Sequence, residues 1–173
     1  MKKVISFLIT AFMAIACFAK PDFTIPQIEK YANADECRKD NDVALKTANF
    51  YLDAEFPADI YESRLAARYM LKWVEASDEI LFALDSKRGP YTQCKDAAIS
   101  VQLMAAYMAG CIIYCLENKQ KEHNFDMHYF ALIKMLNYYE KNRSITGSDK
   151  DMDKLLKESK SSKFKAKEEK KFK

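Results

Sequence analysis

The longest uninterrupted apolar run lies in the middle of the chain. Ala97 to Leu116 carries no charged residue and is closed off by Lys95-Asp96 before it and Glu117 after it. Placed on a helix of 3.6 residues per turn, the run has three apolar stripes. They are Ala98–Val101–Ala105–Met108–Ile112–Cys115, Ile99–Ala106–Gly110–Ile113 and Leu103–Tyr107–Cys111–Tyr114. Only Ser100 and Gln102 interrupt them. A helix apolar on every side is either buried in a core or spans a bilayer, and roughly 20 residues suffice for either. Its Ala, Gly, Cys and Tyr content drives membrane insertion weakly and suits close helix packing, which favours the core. A single membrane span is the alternative.

The flanking segments need such a core. Tyr61, Leu65, Tyr69, Trp73 and Ala76 form a stripe opposite Glu62, Arg64, Arg68, Lys72 and Glu75, with Trp73 as its anchor. Phe125, Tyr129, Leu132, Leu136 and Tyr139 recur at intervals of four, three, four and three, behind Asn124 as a cap. Asp35 can cap a helix from Glu36 to about Leu52. Thr24-Ile25-Pro26-Gln27 has the form of a capping box and predicts a short helix over Ile28–Ala32. Ser148 with Asp151 predicts another through Met152, Leu155 and Leu156. Ile80–Leu84 reads as a short helix or an extended piece, and Lys87-Arg88-Gly89-Pro90 as a loop. No run alternates convincingly. The pattern predicts an all-α fold, an antiparallel bundle or helix-pair array of four to five main helices around a buried central helix.

The two ends modify this picture. Met1-Lys2-Lys3, the apolar run Val4–Phe18 and Ala19-Lys20-Pro21 have the layout of a bacterial secretory signal, so residues 1–19 are expected to be removed and 20–158 to form the domain. Cleavage after Ala19 satisfies the small-residue rule. Ala14-Ile15-Ala16-Cys17 is a degenerate lipobox, which keeps open a lipoprotein anchored through Cys17. The product would be periplasmic or secreted. Net charge is +3, but Lys160 to Lys173 holds seven Lys against two Glu, leaving the rest of the processed chain acidic. Residues 159–173, rich in Lys, Ser and Glu, are expected to be a disordered basic tail. Lys163, Phe164, Lys165, Lys170, Lys171 and Phe172 in it could touch anionic lipid or an acidic glycan, and export argues against nucleic acid.

Candidate chemistry is thin. In an exported chain Cys37 and Cys94, the pair outside the apolar run, could form a disulfide. Cys111 and Cys115, one turn apart, read as small buried hydrophobes. His123 and His128 are five apart, share no helix face and read as surface residues rather than metal ligands. Asp40-Asn41-Asp42 lacks the glycine and terminal Glu of a calcium loop. No phosphate-cradling loop or nucleophile elbow occurs, and no cofactor is expected. Glu62, Glu75, Asp78 and Glu79 offer material for an acidic cleft.

Ala105-Ala106-Tyr107 with Gly110 and Tyr114, followed by Ala131, Met135 and Tyr138, resembles the helix pair of a tetratricopeptide repeat, in which small residues let paired helices approach. The loop Glu117–Asn124 is longer than that repeat allows, and no second copy follows at its period. The export signal, Trp73, the Ala106–Gly110 stretch and the Tyr138–Asn142 helix end also resemble uncharacterised exported helical proteins of Bacteroidetes-type bacteria. The reading that follows is a non-enzymatic protein- or peptide-binding module of the envelope. The alternatives are a small-ligand protein or enzyme with an acidic inter-helix cleft, and a single-span membrane protein.

Overall fold

Asp96 starts the central helix. Its carboxylate accepts from the N–H groups of Ala98 and Ile99, at 2.9 and 3.0 Å, which satisfies two donors of the first turn. In this computed structural model, which describes residues 21–55, 60–81 and 89–172, the helix runs Ala97–Asn118 and ends at Lys119 in the left-handed region (φ 52°). The expected leader with Cys17 lies outside the described residues, as do residues 82–88, which include most of Ile80–Leu84 and Lys87-Arg88.

Seven α-helices are present among the described residues: α1 (Ala34–Arg38), α2 (Asn41–Asp53), α3 (Ile60–Ala76), α4 (Ala97–Asn118), α5 (Phe125–Thr146), α6 (Lys150–Ser159) and α7 (Phe164–Phe172), with a 3-10 turn at Pro90–Gln93. The fold is an all-α bundle. α4 packs on α2, α3, α5 and the 3-10 turn, and most of its side chains are buried. It is long and apolar enough to cross a membrane, but most of it is buried against these neighbours. α4 and α5 run antiparallel. Tyr114 meets Phe130 at 5.5 Å near one end, and an added Cβ on Gly147 would touch Ile99 at the other. Between them Gly110 lies so close to α5 that a Cβ there would stand 2.6 Å from Ala131 Cα.

Tyrosines fasten the outer helices. Tyr51 of α2 stacks on Tyr138 of α5 at 5.3 Å and donates to Gln102 O of α4 at 3.1 Å. Tyr31 donates to Asp40 Oδ2 at 2.8 Å and stands 3.3 Å from the Tyr69 hydroxyl. That contact explains two departures from expectation. Residues 28–32 are not helical, and Tyr31 is instead buried from an irregular segment. The helix expected over Glu36–Leu52 is broken at Lys39-Asp40, where Asp40 spends its carboxylate on Tyr31 and makes no side-chain cap. The cap at Asn33 starts α1 two residues earlier than expected.

α3 is rotated from the expected stripe. Trp73 and Tyr69 are buried as predicted, but Ser63, Ala66 and Met70 join them, and Tyr61 is 66% exposed. α6 is capped by Asp149 rather than Ser148. Its carboxylate accepts from the N–H groups of Asp151, Met152 and Lys95, at 2.9, 3.0 and 2.9 Å.

The largest correction concerns the basic end. Residues expected to be disordered form α7, with Phe164 buried against Tyr129 of α5 (6.2 Å). Composition argued for disorder because few apolar residues are present. Two phenylalanines eight residues apart, both aimed at an aromatic surface, supply the burial that the rest of the segment lacks.

Candidate pocket beneath the last helix

Among the described residues the cysteines carry no site. Cys37, Cys94, Cys111 and Cys115 are free, buried thiols, and the pair considered for a disulfide, Cys37 and Cys94, is unbridged here. Cys37 donates to Trp73 O and Cys94 to Asp96 O, each at 3.4 Å, and the two belong to different contacts. Burial pushes the thiols of Cys37, Cys94 and Cys115 up to about 11 and that of Cys111 higher still, which leaves them poor nucleophiles.

Three of the four carboxylates considered for an acidic cleft, Glu75, Asp78 and Glu79, are ion-paired at the surface. Arg38 gathers Asp78 at 2.8 Å, Glu79 at 2.8 Å and Asp35 at 2.7 Å into an exposed ion-pair cluster, and Glu75 pairs with Lys72 at 2.9 Å. These carboxylates are surface charges among the described residues.

The structure does bring together His123 and His128, which the sequence reading placed apart on the surface. A spacing of five separates two side chains onto different faces only where one helix carries both. His123 instead precedes the Asn124 cap, on a turn whose backbone N–H bonds to Leu81 O at 3.3 Å, so helical periodicity does not govern it. The imidazole centroids are 5.9 Å apart. Both rings bond the hydroxyl of Tyr107 on α4, through His123 Nε2 at 2.9 Å and His128 Nδ1 at 2.8 Å. A phenol has one proton, so at least one imidazole must donate its N–H to the oxygen.

Burial fixes the charge of this group. It lowers both imidazoles, His128 to about 4, where His123 and Lys171 add like-charge repulsion. It raises the Tyr107 phenol far above its usual value, with Cys111 adding to the effect. At neutral pH the cluster is therefore uncharged.

α7 closes over it. The Phe172 ring lies 5.2 Å from His128, 5.6 Å from His123 and 5.8 Å from Phe125. Lys165 pairs with Asp126 at 3.4 Å and sits over the Phe125 and Tyr129 rings. Of the tail residues proposed to meet an outside partner, Phe164 and Phe172 thus dock α7, Lys165 and Lys171 are ion-paired, and Lys163 and Lys170 project outward.

The helix leaves a cavity of about 380 Å³ between itself, α4, the start of α5 and the 3-10 turn. Tyr91, Tyr107 and Phe172 wall it with rings; Gly89 and Pro90 form its backbone edge. A Cβ on Gly89 would fall 2.3 Å from the Tyr91 ring, so a larger residue there needs that buried ring to move. The polar lining is His123, His128, Gln93, Lys171 and Glu168. Glu168 is only 6% exposed, and its Oε1 accepts from Lys171 Nζ at 2.6 Å. No group of metal-ligating side chains occurs among the described residues. Nothing in the spacing of these residues announces the cavity. It depends on a turn, a loop and a docked tail that meet only in three dimensions.

Fold and site together define a helical bundle with an aromatic-walled, polar-lined pocket under its last helix. No family model, no curated protein and no solved structure matches this chain.

Proposed function

We propose that this chain is an exported, non-enzymatic binding module whose ligand is a small molecule held in the pocket beneath α7. The observation that carries this reading is the cavity. Its volume falls within the roughly 300–1,000 Å³ usual for ligand sites, and ring walls with a few convergent polar groups are their usual lining. A small ligand is favoured over a peptide, because the small-residue face that could cradle a peptide is already filled by α5 at Gly110 and Ala131. A binding role is favoured over catalysis. Neutral imidazoles can accept a proton, but the neighbouring thiol and phenol are held protonated by burial, which leaves no activated nucleophile beside them. Export rests on the leader-like start of the sequence.

A fragment screen by thermal shift tests the proposal. Hits are expected on the full chain and should vanish in Gln93→Trp, which fills the mouth of the pocket from an exposed position. Hits that survive this substitution would place binding elsewhere, and no hits at all would sink the reading.

A further inference from the structure

We propose that the pocket takes a small organic cation, an ammonium carried on an aromatic or aliphatic group of benzylamine size, and that Lys171 occupies the Glu168 carboxylate until that cation arrives. This rests on the pocket being a ligand site.

A buried carboxylate inside a ring-walled cavity is the starting point. Glu168 has 7% side-chain exposure, lines the cavity and spends Oε1 on Lys171. A buried charge needs a counter-charge, and the one in place is easily displaced. Lys171 is three residues away on the same helix, its side chain is 49% exposed, and within-helix pairs of this kind are weak. A competing ammonium could take the carboxylate while Lys171 swings into water. The cavity would then hold one negative and one positive charge, as it does now.

The walls suit the same occupant. The faces of Tyr91, Tyr107 and Phe172 carry the negative side of the ring quadrupole, which attracts cations. His123 and His128 are turned onto the Tyr107 hydroxyl and are neutral, so they bring no opposing charge. An anion fits poorly. The one cation in the lining is Lys171, already committed, and Glu168 would repel the newcomer. A neutral ligand would leave the carboxylate no better satisfied than before.

The groups facing the imidazoles set the pH dependence. They are Tyr107 from α4, Tyr91 from the 3-10 turn, and Glu168 and Lys171 from α7, with each histidine facing the other. Acidification that charges either ring adds repulsion against a bound cation, so cation affinity should fall toward acid. An anion would bind more tightly over the same range.

Calorimetry on the full chain with benzylamine, benzyl alcohol and benzoate decides, since these share size and differ in charge. At neutral pH benzylamine should bind about tenfold more tightly than benzyl alcohol, the scale of one hydrogen bond to a charged group, and benzoate most weakly. Glu168→Gln should erase the preference for benzylamine, and Lys171→Met should strengthen benzylamine binding by freeing the carboxylate. Helical circular dichroism reports whether either variant still folds. Benzoate binding as tightly as benzylamine, or a preference unchanged in Glu168→Gln, overturns the cation assignment while leaving a ligand pocket. If none of the three binds but fragments sensitive to Gln93→Trp do, the cation assignment alone falls. If no such fragment binds either, both readings fall together.

Discussion

Gly110 sets the distance between the two longest helices. A methyl group there would meet Ala131 backbone at 2.6 Å, and backbone cannot swing aside as a side chain can. Gly110→Ala should therefore cost about 1–3 kcal/mol despite Ala's better helix propensity, read by denaturant unfolding. A gain in stability would show that the approach is looser than described. Asp149 acts differently. Burial opposes its charge, but the N–H groups of Met152, Lys95 and Asp151 outweigh that cost and hold its carboxyl below the usual value. A depressed carboxyl stabilises above its unfolded value and loses that contribution as pH falls through its folded value. Asp149→Ala should cost about 1–2 kcal/mol at neutral pH, the scale of a lost cap, and less in acid. At this scale legibility was uneven. Gly110 and Trp73 stood out because packing leaves a periodic trace. His123 and His128 did not, because a turn outside any helix brings them together.

At the scale of elements, α4 and α5 were readable because their apolar residues recur at the helical period, over Ala97–Leu116 and Phe125–Tyr139. The start of α2 was not, since its break depends on Tyr31 claiming Asp40 from nine residues away. α7 was the hardest, because only two of its residues provide the apolar contact. Phe164 anchors one end under Tyr129 and Phe172 the other over the imidazoles. Its ion pairs, Lys165–Asp126 and Lys167–Glu158, involve exposed lysines and contribute little. Phe164→Ala should therefore release α7, removing about 3 kcal/mol of packing. Hydrogen exchange would show α7 amides losing protection while α4 and α5 keep theirs. Protection unchanged in α7 would mean that the charged contacts hold it.

The whole molecule is arranged so that a buried central helix carries one polar feature, the Tyr107 hydroxyl, to a place where a half-buried histidine pair and α7 meet over it. The all-α class and the central helix were legible in the sequence. The pocket was not, because its lining comes from four separate segments. The lowered imidazoles make the arrangement sensitive to pH. His128 falls from 6.5 to about 4, so its contribution is complete above its unfolded value and is lost as pH drops toward the folded one. The most direct measurement is the ring-nitrogen NMR titration of both histidines in the full chain. The account predicts His128 titrating near 4 and His123 below its ordinary value, with His128 rising toward 6.5 in Phe164→Ala as α7 lifts away. Titration of both histidines near 6.5 in the unaltered chain would contradict it, because the pocket would then be open to water and α7 would not close it.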